Sequence, residues 1–264
     1  MEPVRFAIVG AGWRTEFFMR VAQALPDRFA VSGVLVRDPA KAEAFGQRWS
    51  VPTVGDLDGL LATSPAFAVV SVPWSVTPVM LAELAERGLP ALAETPPGPD
   101  LLGLRRVCEL AAAGARLQVA EQYCWQPIHA AREAVVASGR LGKVSQVQMS
   151  VAHGYHGVSL LRRLLGVRYE ACRITARGFV APLVAGPGRD GPPTAESIEQ
   201  AGQTLAWLDY GEKLGVFDFS GSQYFSWIRS PRVLVRGERG EINGTTVRWL
   251  EDFRTPHPAA LLRR

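Results

Sequence analysis

The chain has 264 residues, 47% of them apolar and 20% charged, the composition of a globular protein long enough for two domains with a core each. No apolar run reaches membrane-spanning length, the N-terminus lacks a signal-peptide layout, and three widely spaced cysteines (Cys108, Cys124 and Cys172) argue against a disulfide framework and a zinc cluster. The expectation is a cytoplasmic protein with no membrane partner and no metal. The net charge of +4 comes from 29 basic residues spread along the chain with no Lys/Arg block among aromatics, which suits a phosphate-bearing ligand and argues against nucleic acid.

Val4, Phe6, Ala7, Ile8 and Val9 form a nearly all-apolar run, the pattern of a strand buried on both faces. Gly10 and Gly12 follow at once, and then Phe17, Phe18, Val21, Ala22 and Leu25 recur at helical spacing. Strand, glycine turn and helix in that order make a cradle for a pyrophosphate, because glycines permit close backbone approach and the helix start points N–H groups at the anion. Thr15 stands where a third glycine or an alanine is usual. The alternative is a helix start in an α/β protein that binds no nucleotide.

Alternation of strand and helix continues to about residue 120. Strands are predicted at Val31–Val36, Phe67–Val72, Pro90–Ala93 and Leu117–Ala120, with helices after Pro39, from Asp56, over Met80–Arg87 and over Leu101–Ala113. That order implies a doubly wound parallel sheet. Beyond it, helices are predicted at Ile128–Ala137 and Ser159–Leu165. Strands are predicted at Val144–Val151, Ala171–Phe179, Thr204–Tyr210, Leu214–Phe219 and Arg232–Arg236. The Gly/Pro-rich stretch 185–193 reads as a surface loop, and Arg254 onward as a polar, proline-broken tail. Strands with few intervening helices imply an α/β domain whose open, largely antiparallel sheet has one covered face.

Ligands of such a parallel sheet bind outside the carboxyl ends of its strands. After the second strand comes Arg37, placed to meet the 2′-phosphate of NADP, and then Asp38, which would favour NAD or simply begin the turn before Pro39. Arg14 is either a support for the pyrophosphate or a solvated loop cation. Two later strand ends, Val72-Pro73-Trp74 and Glu94-Thr95-Pro96-Pro97, point at the same crevice.

The ordered set IVGAGWR, VVSVP, LAETPP, VAEQY, GRLGKV and HGVSLLRRLLG resembles the Gfo/Idh/MocA family of NAD(P)-dependent oxidoreductases over nearly the whole chain. The resemblance implies an NAD(P)-binding Rossmann domain over residues 1–120. Residues 121–264 would form a second α/β domain that binds substrate and mediates oligomerisation through its sheet. Members of the family typically extend further, which would make this chain a compact form or a truncated one. In that likeness Gly10, Gly12, Trp13 and Arg14 position the pyrophosphate, while Pro73, Trp74, Glu94 and Thr95 line the nicotinamide side. Glu121, Gln122 and Tyr123 border cofactor and substrate.

Two catalytic positions depart from the family pattern. The lysine of its Glu-Lys-Pro motif falls on Thr95, which hydrogen-bonds but cannot act as a cation or a proton shuttle near neutral pH. The aspartate of its Asp-x-x-x-His motif falls on Ala152, leaving His156, with Tyr155 and His153 as neighbouring acid/base candidates. His129 reads as surface or packing and His257 as solvated. Tyr224-Phe225-Ser226-Trp227 reads as a buried turn or a dimer contact. The reading that follows is an oxidoreductase preferring NADP over NAD. It would move a hydride between cofactor and a sugar-like or other small polyol or carbonyl substrate, and would assemble as a homo-oligomer. Its rivals are a nucleotide-binding sensor that has lost the reaction, and a lyase or glycosidase with permanently bound NAD(P).

Overall fold

A computed structural model describes residues 2–262. The chain divides into two compact units, Met1–Glu121 and Gln122–Arg264.

The first unit runs β1 (Val4–Val9), α1 (Trp13–Ala24), β2 (Phe29–Leu35), α2 (Pro39–Trp49), β3 (Thr53–Val54), α3 (Leu57–Ala62), β4 (Phe67–Val70), α4 (Thr77–Glu86), β5 (Ala91–Ala93), α5 (Leu101–Ala112) and β6 (Leu117–Val119). The strands form a parallel sheet in the order β3-β2-β1-β4-β5-β6. Buried β1 explains its apolar run. Phe6 and Ile8 join Met19, Val34 and Phe45 on one face, and Ala7 and Val9 join Leu57, Leu81 and Leu84 on the other. Three helices start on an aspartate cap: Asp38 accepts from the Lys41 N–H (3.1 Å), Asp56 from Gly59 (2.7 Å) and Asp100 from Gly103 (2.8 Å). The strand order reverses between β1 and β4, the switch point where this architecture leaves a crevice.

The second unit opens with a 3-10 turn at Tyr123–Trp125. It continues with α6 (Pro127–Ala137), β7 (Val144–Ser150), α7 (Gly154–Leu165), β8 (Arg173–Val184), β9 (Ile198–Asp209), β10 (Leu214–Ser220) and a second 3-10 turn at Gly221–Tyr224. It ends with β11 (Arg232–Gly237), β12 (Gly240–Asn243), β13 (Thr246–Leu250) and β14 (Pro256–Ala260). Eight strands pair in the order β14-β13-β12-β11-β7-β10-β9-β8, antiparallel throughout except for β7 beside β10. Helix α7 covers one face with Leu160, Leu161, Leu164 and Leu165, all at most 1% exposed. Close approach needs small residues here: a Cβ at Gly215 would lie 2.6 Å from the Leu161 side chain, and one at Gly157 would lie 2.6 Å from the Phe217 ring.

Several sequence expectations change. Helix α7 starts at Gly154, not Ser159, because its first turn, Gly-Tyr-His-Gly, carries no aliphatic side chain to mark a helical stripe. Strands β8 and β9 extend to Val184 and back to Ile198, where exposure of both faces erases alternation. The supposed tail contains β14, paired to β13, with His257 stacked on Trp249 (ring centres 5.2 Å apart) and its Nε2 2.7 Å from the Glu251 carboxylate. Of the two readings of His129, surface or packing, the structure selects packing: it is a core residue, 2% exposed. Arg132, one turn along α6, donates from Nη1 to His129 Nδ1 (3.1 Å) and from Nε and Nη2 to the Gly244 carbonyl (3.1 and 2.8 Å). A guanidinium only donates, so His129 Nδ1 accepts and the ring proton sits on Nε2. Burial, reinforced by the Arg132 charge, pushes the His129 pKa down to about 4.

Candidate functional site

The predicted site residues fall into two groups, one in each unit. In the first, β1 delivers the chain to Gly10, whose φ of +105° suits glycine and whose Cα faces the end of β4. A Cβ there would lie 2.2 Å from the Ser71 carbonyl oxygen. The Gly10 N–H donates to the Leu35 carbonyl at 3.0 Å, tying the turn to β2. Gly12 begins α1 without a side-chain cap, and a Cβ on it would meet nothing within 4 Å. Thr15 is fully buried, with its hydroxyl donating to the Gly10 carbonyl at 3.0 Å. The departure from the usual small residue is therefore absorbed by a bond inside the loop.

Arg14 does not stand in solvent. Its Nε lies 2.9 Å from Glu94 Oε1 beyond the end of β5, and its guanidinium lies over the Phe17 and Trp13 rings at 4.7 and 5.9 Å. Arg37 is exposed just beyond β2. After β4, Val72, Pro73, Trp74, Ser75 and Pro99 line an open hollow of about 470 Å³, with Trp74 53% exposed at its rim. Thr95 follows Glu94 and is joined to Pro96 by a cis peptide. The glycine held against β4, the helix start without a side-chain cap, and the polar groups at neighbouring strand ends fit a dinucleotide.

In the second unit the opening of α7 gathers Tyr155 and His156, whose ring centres are 4.4 Å apart, with His153 at 5.1 and 5.0 Å from them. Tyr123, from the first 3-10 turn, adds its ring 4.8 Å from His156. Ala152, at the position of the family's aspartate, is wholly buried. His156 is 6% exposed, whereas His153 is exposed. Tyr224 also belongs to this cluster, its hydroxyl 2.5 Å from His153 Nδ1. Sequence reasoning left it among the aromatics of 224–227, where only its position after a strand end set it apart.

Residues 4–121 match the Gfo/Idh/MocA oxidoreductase family, NAD-binding Rossmann fold. The first unit belongs to that family. The resemblance read from the ordered motifs therefore holds, and so does the α/β fold with a parallel sheet followed by a mixed, mostly antiparallel one. Solved structures align over nearly the whole chain. An oxidoreductase from Agrobacterium radiobacter, in complex with NAD+, L-tartaric acid and magnesium, is 17% identical, with 97% of this chain and 79% of that one covered at a TM-score of 0.70. The WlbA dehydrogenase from Bordetella pertussis, in complex with NADH and UDP-GlcNAcA, is 18% identical, with 92% and 78% covered at 0.68. A putative NADPH-dependent oxidoreductase from Desulfitobacterium hafniense is 15% identical, with 98% and 82% covered at 0.69. At such identities the likeness is one of fold. No curated protein matches the chain by sequence. Among the described residues, no helix is long and apolar enough to cross a membrane.

Proposed function

We propose that this protein, whose first unit matches the Gfo/Idh/MocA family, is an NADP-preferring oxidoreductase acting on a sugar-like or other small polyol or carbonyl substrate in the cytoplasm. The observation that carries the reading is the glycine turn at the switch point. Gly10 is held against Ser71 by a contact no other residue permits, and α1 opens beside it without a side-chain cap. Bound NADP supplies the hydride chemistry. Backbone at Gly10 and Gly12, flanked by Trp13, holds the pyrophosphate, and Arg14 adds positive charge while Glu94 fixes its direction. Arg37 pairs with the 2′-phosphate, since a guanidinium fork matches phosphate geometry. Pro73, Trp74, Glu94 and Thr95 line the nicotinamide side, with the Thr95 hydroxyl hydrogen-bonding the reacting oxygen. His156 and Tyr155, in the second unit, are the acid/base groups of this reading.

Residues 1–120 serve the cofactor in this reading, and 121–264 serve substrate binding and self-association. Support for association comes from the sheet face opposite α7. Ala206 and Leu208 are buried beneath α7, so Trp207 between them points the other way and is 43% exposed, and Phe179 shares its face. Anaerobic incubation with NADP and a panel of sugars, polyols and hydroxy acids tests the reading. The expected result is a rise in reduced-nicotinamide absorbance with at least one compound.

Thr95 and the buried Ala152 favour a second reading, a nucleotide-binding sensor, because a lost general acid/base is worth about 10²–10⁴-fold in rate. Tight NADP binding with no turnover and no isotope exchange at the nicotinamide C4 would select it. Product formation without net cofactor consumption would instead select a lyase or glycosidase with permanently bound NADP.

A further inference from the structure

At the carboxyl ends of β2 and β3 lies a hollow of about 240 Å³ whose residues, Arg37 apart, the redox reading leaves unused. Leu35, the last residue of β2, and Leu57, the first of α3, are buried and give it apolar surface. The sheet order β3-β2-β1-β4-β5-β6 decides which end of a dinucleotide can reach it. In the dinucleotide reading the pyrophosphate lies on the turn after β1 and the nicotinamide beyond β4 and β5. The other half of the molecule then runs over β2 toward β3, and it ends in adenine. The hollow is smaller than the roughly 300–1,000 Å³ of a pocket for a whole drug-sized ligand. It suits one base.

Charge decides which part of that half enters. Among the described residues, the hollow is lined by two guanidinium groups, Arg37 and Arg87, against three carboxylates, Asp56, Asp58 and Glu83. A phosphate inside it would be repelled, so a 2′-phosphate stays with the exposed Arg37. The interior takes a neutral group that both donates and accepts. Adenine is such a group, since its exocyclic N6 amino donates and the ring nitrogen beside it accepts. Asp56 is committed to capping α3, accepting from the Gly59 N–H at 2.7 Å. Arg87 is held from two sides: Nη1 donates to the Glu83 carbonyl at 3.0 Å, and Nε lies 3.5 Å from Asp58 Oδ1. Nη2 is left without a bond among the described residues. Glu83 sits one turn before Arg87 on the same side of α4. It is half-buried, and its carboxylate bonds no described residue.

We propose that Glu83 and Arg87 read the edge of the cofactor's adenine, the Glu83 carboxylate accepting from the N6 amino group and the Arg87 guanidinium donating to the neighbouring ring nitrogen. The proposal rests on the dinucleotide reading of the glycine turn, and on neither the preference for NADP nor turnover. Hypoxanthine in place of adenine turns the N6 donor into a carbonyl oxygen, which would face the Glu83 carboxylate acceptor to acceptor.

The full chain is titrated calorimetrically with NADP, NAD and the deamino (hypoxanthine) form of each, as wild type and Glu83→Gln, with melting temperature as the control for folding. The wild type is expected to bind each adenine form about 5–150-fold tighter than its deamino form, the discrimination of a bidentate base contact. A glutamine amide can accept from an amino group or donate to a carbonyl, so Glu83→Gln should bring the two forms within about twofold of each other. Equal binding of both forms by the wild type, or a ratio that Glu83→Gln leaves unchanged, overturns the base reading while the dinucleotide assignment stands. Discrimination between the bases with NAD and NADP bound equally well would instead end the NADP preference and leave the base reading intact.

Discussion

Arg14 and Glu94 meet at the mouth of the glycine turn, Nε to Oε1 at 2.9 Å, with their side chains only 22% and 14% exposed. The loop cation and the motif acid thus form one unit. Two groups that look like independent cofactor contacts in the sequence depend on each other for position.

Removing the cation leaves a half-buried carboxylate without its ionic partner. Arg14→Met is expected to lower unfolding free energy by about 1 kcal/mol, the scale of an ion pair that keeps some contact with water, and Arg14→Lys to lose less. Urea denaturation monitored by tryptophan fluorescence measures both.

In the proposed reading Arg37 carries the cofactor preference. Arg37→Ala should weaken NADP by about 10–150-fold, the equivalent of about 1.5–3 kcal/mol for a charge-assisted bond, while NAD binding stays within about twofold. Calorimetric titration of both cofactors decides the matter, and an equal loss for the two would remove Arg37 from the 2′-phosphate.

The two glycines of the turn should fail in different ways. In Gly10→Ala the new methyl meets the Ser71 carbonyl at a positive φ, so the variant is expected to melt well below the wild type. In Gly12→Ala the methyl enters open space. Stability should then change by less than about 1 kcal/mol, while NADP affinity falls by about tenfold or more, or about 1.4 kcal/mol. Thermal melts paired with NADP titration separate the two cases.

His129 makes the fold acid-sensitive. Its folded pKa of about 4 lies below the ordinary 6.5, so the unfolded chain takes up the proton first. The stabilisation is complete above about pH 6.5 and is lost as pH falls from there toward 4, on the order of 3 kcal/mol in all. Urea unfolding between pH 7 and 4.5 should show this loss in the wild type and a flatter dependence in His129→Gln.

What was legible in the sequence follows from where the information is local. The run Phe6–Val9 announces a strand buried on both faces, and Gly10 announces a backbone that only glycine tolerates. Strands β12 and β13 each bury a single side chain, Ile242 and Val247, so no alternation marks them. In β14 prolines at 256 and 258 argue for a tail, although an edge strand accommodates them. The Arg14–Glu94 and His153–Tyr224 pairs join residues far apart in the chain, and no spacing rule connects them. His129 could be read only as surface or packing, because its partner, Arg132, looks like a surface charge on a helix.

The Arg132 bonds to Gly244 bear on how the second unit comes apart. The guanidinium reaches out of α6, near the start of that unit, to the turn between β12 and β13, near its end. Peeling the last strands away would strand two N–H donors beside a neutral imidazole in the core, at a cost of about 1–3 kcal/mol for each group left unsatisfied. Terminal strands usually fray first. Here the amides of β12 should exchange with solvent at the rate of the central strands, and the late strands should open only together with α6.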